Sequence, residues 1–154
     1  MNINIGPNTL RVYEYLKNKK LRYSYRIIFI PETIGSIAYL SLNYKEMKKK
    51  IIAGFNISCV GDNRAYSYLP TRNGKTLSDE IAQHTLKWTD PSFIRYSWLD
   101  RGSDERQYCS PGIDLPVSSL MKTKYEEYDE YHTSEDKIGK TVTSKGLKET
   151  LIVY

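Results

Sequence analysis

The sequence is short of the residues that most often announce chemistry. Two cysteines in 154 residues cannot make a disulfide framework or a paired-cysteine zinc site, so Cys59 and Cys109 are expected as reduced thiols. Only two histidines are present, His84 and His132. No apolar run approaches the roughly 20 residues that span a bilayer, and Met1-Asn2-Ile3-Asn4-Ile5-Gly6-Pro7 lacks the basic start and apolar core of a signal peptide. A soluble, cytoplasmic chain with no membrane role is the expectation. There is no internal repeat and no low-complexity tract.

What is present suits one folded domain. Apolar residues make up 40% and charged residues 27%, ordinary for a globular protein, and the length allows one core. The net charge of +5 and 14 tyrosines raise nucleic-acid binding as a possibility. However, the lysines sit in short pieces, Lys17-Asn18-Lys19-Lys20 and Lys48-Lys49-Lys50, which read as solvated helix ends and loops. Nucleic acid is therefore not expected as the main partner.

Periodicity predicts a helix over about residues 8–18 and a strand from Tyr23 to Ile30, stopped by Pro31. A second helix is expected from Ser36 to Tyr44, with Lys45–Lys50 as a polar approach to a long strand, Ile51–Val60. Ala65–Leu69 reads as a short tyrosine-rich strand and Thr76–Trp88 as a helix. Phe93–Leu99 and Leu115–Met121 read as further strands, and Ser144–Val153 as a final helix with a serine cap. Alternating strands and helices predict an α/β fold, one domain, with a mostly parallel or mixed twisted sheet flanked by helices on both faces.

Ligands of open α/β sheets gather beyond the carboxyl ends of the strands. Glu32, Asp62, Asp104 with Glu105, and His132 each follow a predicted strand, so they are expected on one rim, where carboxylates and an imidazole could hold a divalent ion. Asp136, four residues after His132, could fix its second ring nitrogen. Each residue also has a structural alternative: Glu32 as a helix-dipole partner, Asp62 as turn chemistry, Asp104, Glu105 and Arg106 as a solvated charge run, His84 as packing or surface. Cys109 and His132 lack the oxyanion-hole signature that a nucleophile and base would need.

Four stretches in order carry a resemblance: Ile30-Pro31-Glu32-Thr33-Ile34-Gly35-Ser36; Gly61-Asp62-Asn63-Arg64-Ala65-Tyr66; Asp100-Arg101-Gly102-Ser103-Asp104-Glu105-Arg106-Gln107-Tyr108-Cys109; and Tyr131-His132-Thr133-Ser134. From about Leu10 onward the chain resembles a bacterial family of aminopeptidase-like proteins, related to the zinc-dependent aminopeptidases and often associated with polysaccharide biosynthesis. The resemblance implies a zinc-aminopeptidase-like fold and a peptide-like or amide-containing substrate. It makes Glu32 the general base, His132 the last metal ligand, and Asp104 part of a loop in which Glu105 replaces a histidine. Arg101, Asp104, Glu105 and Tyr131 are the implied substrate contacts.

The sequence also departs from that pattern. Thr33 stands where two-metal enzymes have a second glutamate, and Ser58 where they have an aspartate ligand, leaving Asp62 as a substitute. No histidine precedes His84, so the upstream half of a metal site is missing. The resemblance thus implies one zinc ion at most, and a chain that is an internal, truncated piece of a longer protein, inactive alone or completed by a companion chain. A non-catalytic module gripping an anionic or sugar-containing ligand through Arg72, Arg101 and Arg106 is the competing reading. Self-association through Ile27-Ile28-Phe29-Ile30 is expected if that strand has an open edge.

Overall fold

The computed structural model describes residues 5–154, which form two compact units. One, the sheet unit, comprises residues 30–56 and 66–120; the other combines residues up to Phe29 with 57–65 and 121–154. Ten elements follow in order: α1 (Ile5–Leu16), α2 (Ile34–Lys50), β1 (Gly54–Asn56), β2 (Ser67–Leu69), α3 (Leu77–Thr89), β3 (Ile94–Arg95), a 3₁₀ turn at Trp98–Asp100, α4 (Glu105–Tyr108), β4 (Val117–Met121) and α5 (Ser144–Val153). The α/β expectation holds. Among the described residues, no helix is long and apolar enough to cross a membrane.

The sheet has the order β1-β4-β2-β3. β1 runs parallel to β4, pairing Gly54 with Val117, Phe55 with Ser118 and Asn56 with Ser119. β2 runs parallel to β3, pairing Ser67 with Ile94 and Tyr68 with Arg95. Every residue of β2 and β4 is buried, the polar Ser67, Ser118 and Ser119 included. Leu40 and Met47 of α2 pack with Tyr108, Cys109, Leu115 and Val117 to form the core of this unit.

Two strands are much shorter than their apolar runs predict, and a third predicted strand does not form. Ile51 caps α2, its N–H donating to Met47 O at 2.8 Å, and Cys59 takes a left-handed φ of 49°. Only Gly54–Asn56 remains free to pair. Past β3, Asp100 Oδ2 accepts from Ser97 N at 2.8 Å, turning the chain into the 3₁₀ turn instead of extending the strand. The segment Tyr23–Ile30 is not a strand: a ladder needs a neighbour, none of the described residues supplies one, and Phe29 remains 59% exposed. Lys45–Lys50, expected as a connector, instead completes α2, where Lys48, Lys49 and Lys50 in the last turn complement the helix dipole.

α3 starts where the sequence places it because Thr76 and Asp79 cap it: Asp79 Oδ2 accepts from Thr76 N at 2.8 Å and from its hydroxyl at 2.7 Å. Asp79 is fully buried and its other bonds come from Thr71 N at 2.8 Å, Thr71 Oγ1 at 2.5 Å and Tyr68 OH at 2.7 Å. The cap of α5 is Thr143, not the predicted serine, its hydroxyl accepting from Gly146 N at 2.9 Å. In that unit α5 lies against the backbone of 60–62. Thr150 Oγ1 donates to Val60 O at 2.8 Å, and a Cβ on Gly146 would fall 2.1 Å from Gly61 O.

Burial pushes the Asp79 carboxyl up, but its donors outweigh that and hold it below the ordinary 3.8. A carboxylate with a depressed folded-state value stabilises the fold above its unfolded value and loses that contribution as acid protonates it. Asp79→Asn is therefore expected to destabilise by about 2 kcal/mol or more at pH 7, with the gap to wild type closing as pH falls below 3.8; urea melts across that range check both. The Tyr23–Phe29 amides, outside any ladder of the described residues, are expected to exchange roughly 100-fold or more faster than those of Ser118–Leu120, read by hydrogen-exchange mass spectrometry.

Candidate functional site

Glu32 sits two residues before α2, on a backbone turn of unusual shape. Thr33 has φ 61° and ψ −70°, and Ile34 N donates to Glu32 O at 2.7 Å. Together these make a γ-turn of the rare positive-φ form, strained for a β-branched residue. The strain is held by an acceptor 71 positions away: Asp104 Oδ1 takes the Thr33 N–H at 2.7 Å and the Ser36 hydroxyl at 2.9 Å. Ser103, beside Asp104, donates its hydroxyl to Glu32 Oε1 at 2.5 Å. The two loops are thus joined by a side-chain bond to the candidate base and by a backbone bond to the turn behind it.

Glu105 supports this pair from below. It is fully buried and accepts from Asn56 Nδ2 at 2.6 Å, Ser103 N at 3.1 Å and Gly102 N at 3.3 Å. It therefore acts as a structural anchor for the loop rather than a side chain open to substrate. Burial pushes the Asp104 carboxyl above its usual range, against the pull of the Thr33 and Ser36 donors, and the nearby Glu32 and Glu105 carboxylates add to the rise. The Arg101 guanidinium lies over the Trp98 ring, 3.8 Å from its centroid, and donates to Cys109 O at 3.3 Å. Arg72 is paired with Asp114 at 2.5 Å. Arg72 and Arg101 are thus held by partners within the protein, whereas Arg106, the third arginine of the competing anion-gripping reading, is exposed.

Asp62, Tyr131 and His132 belong to the other unit. Asp62 is buried and both its oxygens are taken: Oδ1 by Arg64 N at 2.8 Å and Thr123 Oγ1 at 2.7 Å, Oδ2 by Thr123 N at 2.9 Å. Its turn-forming alternative is the one the geometry supports. The His132 ring stacks on Tyr131 with centroids 3.8 Å apart, on a backbone with φ 59°. Asp136 accepts from Tyr128 OH at 3.2 Å rather than orienting the His132 ring. Nearby, burial pushes the Cys59 thiol up to about 11, an inert thiol in this setting.

A zinc ion fits this arrangement poorly. Ligation by Asp62 would break the bonds that close its loop, and among the described residues no three His, Cys, Asp or Glu side chains converge. Ser103, Ser36 and Asn56 were not singled out as site residues. Ser103 could have been found as the serine next to Asp104, whereas nothing in the sequence pairs Asn56 with Glu105.

A family model described as a domain of unknown function, DUF4910, matches residues 8–154. The chain belongs to this family. A Clostridium acetobutylicum protein, provisionally named a polysaccharide biosynthesis protein with an aminopeptidase-like domain, is 43% identical over 123 residues, covering 80% of this chain and 28% of that protein. A crystal structure from the same organism, provisionally named a peptidase, matches with a TM-score of 0.87 and 37% identity, over 96% of this chain and 34% of that one. The chain thus spans about a third or less of the length of these relatives, and the resemblance read from its four motifs is borne out.

Asp79 and the half-buried Asp104 make opposite predictions. An acid whose folded-state value is raised opposes folding once it ionises, so removing the Asp104 charge while keeping an acceptor oxygen is expected to help. Asp104→Asn should melt at or above wild type at pH 7, the difference shrinking as pH falls and the wild-type carboxyl protonates. Thermal melts between pH 4 and 7 check the sign; a clear loss at pH 7 would contradict it.

Proposed function

We propose that this chain is an aminopeptidase-like hydrolase domain whose general base is Glu32, acting on a peptide-like or other amide-containing substrate, with a metal site too incomplete to work alone. The observation that carries the reading is the Ser103 hydroxyl on Glu32 Oε1 at 2.5 Å, on a strained turn latched by Asp104. A general base must be an ionised carboxylate in a fixed direction. The Ser103 donor fixes one oxygen, which leaves Oε2 to take a proton from an attacking water. Backbone strain concentrated at the residue after the base is what a functional turn shows when its surroundings over-determine it. The names of the Clostridium acetobutylicum relatives support amide hydrolysis as the reaction class and polysaccharide biosynthesis as its setting.

Zinc is the implied cofactor, and when bound in such enzymes it polarises the carbonyl and acidifies water. Asp62 is committed to its loop and His132 is a single imidazole, so this chain is proposed to bind zinc weakly and to show little aminopeptidase activity by itself. Calorimetric zinc titration at neutral pH tests this, with a dissociation constant on the order of 100 µM or weaker expected. Tight one-to-one binding abolished by His132→Ala would overturn the incomplete-site reading. Glu32 is exposed and makes one side-chain bond through Oε1, so Glu32→Gln should change stability by less than about 1 kcal/mol. A larger loss in a urea melt would make Glu32 a structural residue instead of a base.

A further inference from the structure

The surface of α3 that faces away from the core carries a largely apolar stripe flanked by charge. Ser78, Asp79, Ala82 and Leu86 bury one side of this helix, while Leu77 is 41%, Ile81 42% and Trp88 81% exposed. His84 is also exposed, and its ring lies 6.4 Å from that of Trp88. Leu77, Ile81, His84 and Trp88 follow one another at spacings of four, three and four, which is the alternating seam of a two-helix coiled-coil contact and not the scatter of isolated surface apolars.

The charges beside this seam determine the partner. With Leu77 and His84 at d positions and Ile81 and Trp88 at a positions, Glu80 and Lys87 both occupy g. In a parallel pair, g faces e of the other helix. Here e is Ser78 or Thr85, so neither charge finds an opposite. In an antiparallel pair g faces g, and a two-fold axis near the middle of the helix sets Glu80 of one copy against Lys87 of the other, twice. The same axis places Leu77 opposite Trp88 and Ile81 opposite His84, so each large ring meets an aliphatic side chain. A surface that complements itself through a two-fold axis is an isologous interface.

We propose that α3 is a homodimer face, pairing antiparallel with α3 of a second copy of this chain through Leu77, Ile81, His84 and Trp88, with reciprocal Glu80–Lys87 ion pairs. A helix of 13 residues is about 20 Å long and covers less than the roughly 1,200–2,000 Å² of a permanent interface. The dimer is accordingly transient, with a dissociation constant on the order of 10–100 µM.

Sedimentation equilibrium of the chain from 5 to 500 µM tests this. The weight-average mass should rise from 17.9 kDa toward twice that value. Trp88→Glu, at a position too exposed to disturb the core, should weaken association at least tenfold with an unchanged circular dichroism spectrum. Glu80→Lys and Lys87→Glu singly should each weaken it several-fold, and the double reversal E80K/K87E should restore it to within about twofold of wild type, because the reversed charges again meet across the axis. A monomer at 500 µM would overturn the proposal and leave the seam to a different partner. So would association that survives Trp88→Glu, which would place the contact elsewhere, as at Tyr23–Phe29, or a double reversal that fails to restore the dimer.

Discussion

The sheet unit depends on a carboxylate that never reaches solvent. Glu105 is fully buried, and such a group costs several kcal/mol to bury without compensating donors. Its donors come from two directions: Asn56 at the end of β1, and the backbone of Gly102 and Ser103. Satisfying that one charge fixes the loop to the sheet. From the loop, Ser103 then reaches Glu32 and Asp104 reaches Thr33. Each later contact is positioned by the one before it, so the orientation of Glu32 follows from a demand made inside the core.

The same device recurs. Asp79 gathers Tyr68, Thr71 and Thr76 around the start of α3, and Asp62 gathers Arg64 and Thr123. This is the economical solution for a chain whose strands are so short. Strands of two, three and five residues satisfy few backbone groups by ladder bonding, and buried N–H groups must find acceptors somewhere. Acidic side chains with two oxygens each serve several donors at once. They also explain why acids cluster after strands: there the chain turns, and the ladder stops providing partners.

How much of this was legible in the sequence differed by residue. α3 and α5 could be read because capping residues and apolar spacing agree, at Thr76 with Asp79 and around Thr143. β2 and β4 could be read from Tyr68 with Leu69 and from Val117, Leu120 and Met121, although the buried Ser67, Ser118 and Ser119 carry no such signal. Ile51–Val60 looked like one long strand because apolar content marks burial and not pairing, and the φ of 49° at Cys59 leaves no trace in composition. Tyr23–Ile30 has strand chemistry but no strand to pair with among the described residues, a property of the rest of the chain rather than of those residues. The acids posed the hardest problem. A carboxylate in a polar loop has the same sequence signature whether it faces a ligand or a buried N–H. The four motifs located the Ser103-Asp104-Glu105 loop, but only the geometry separates Glu32, whose second oxygen is open, from Glu105, whose capacity is used up.

The contact of α5 with the chain at Gly61 bears on how substitution data for this family should be interpreted. The helix backbone at Gly146 touches Gly61 O so closely that any side chain would have to displace it. In a saturation mutagenesis experiment, position 146 would tolerate as little as a nucleophile or a metal ligand does, although it has no functional group to contribute. Intolerance alone would rank this glycine beside Glu32. A selection that scores abundance separately from turnover would tell them apart, since changes at Gly146 would remove the protein, whereas loss of the base proposed at Glu32 would leave it folded.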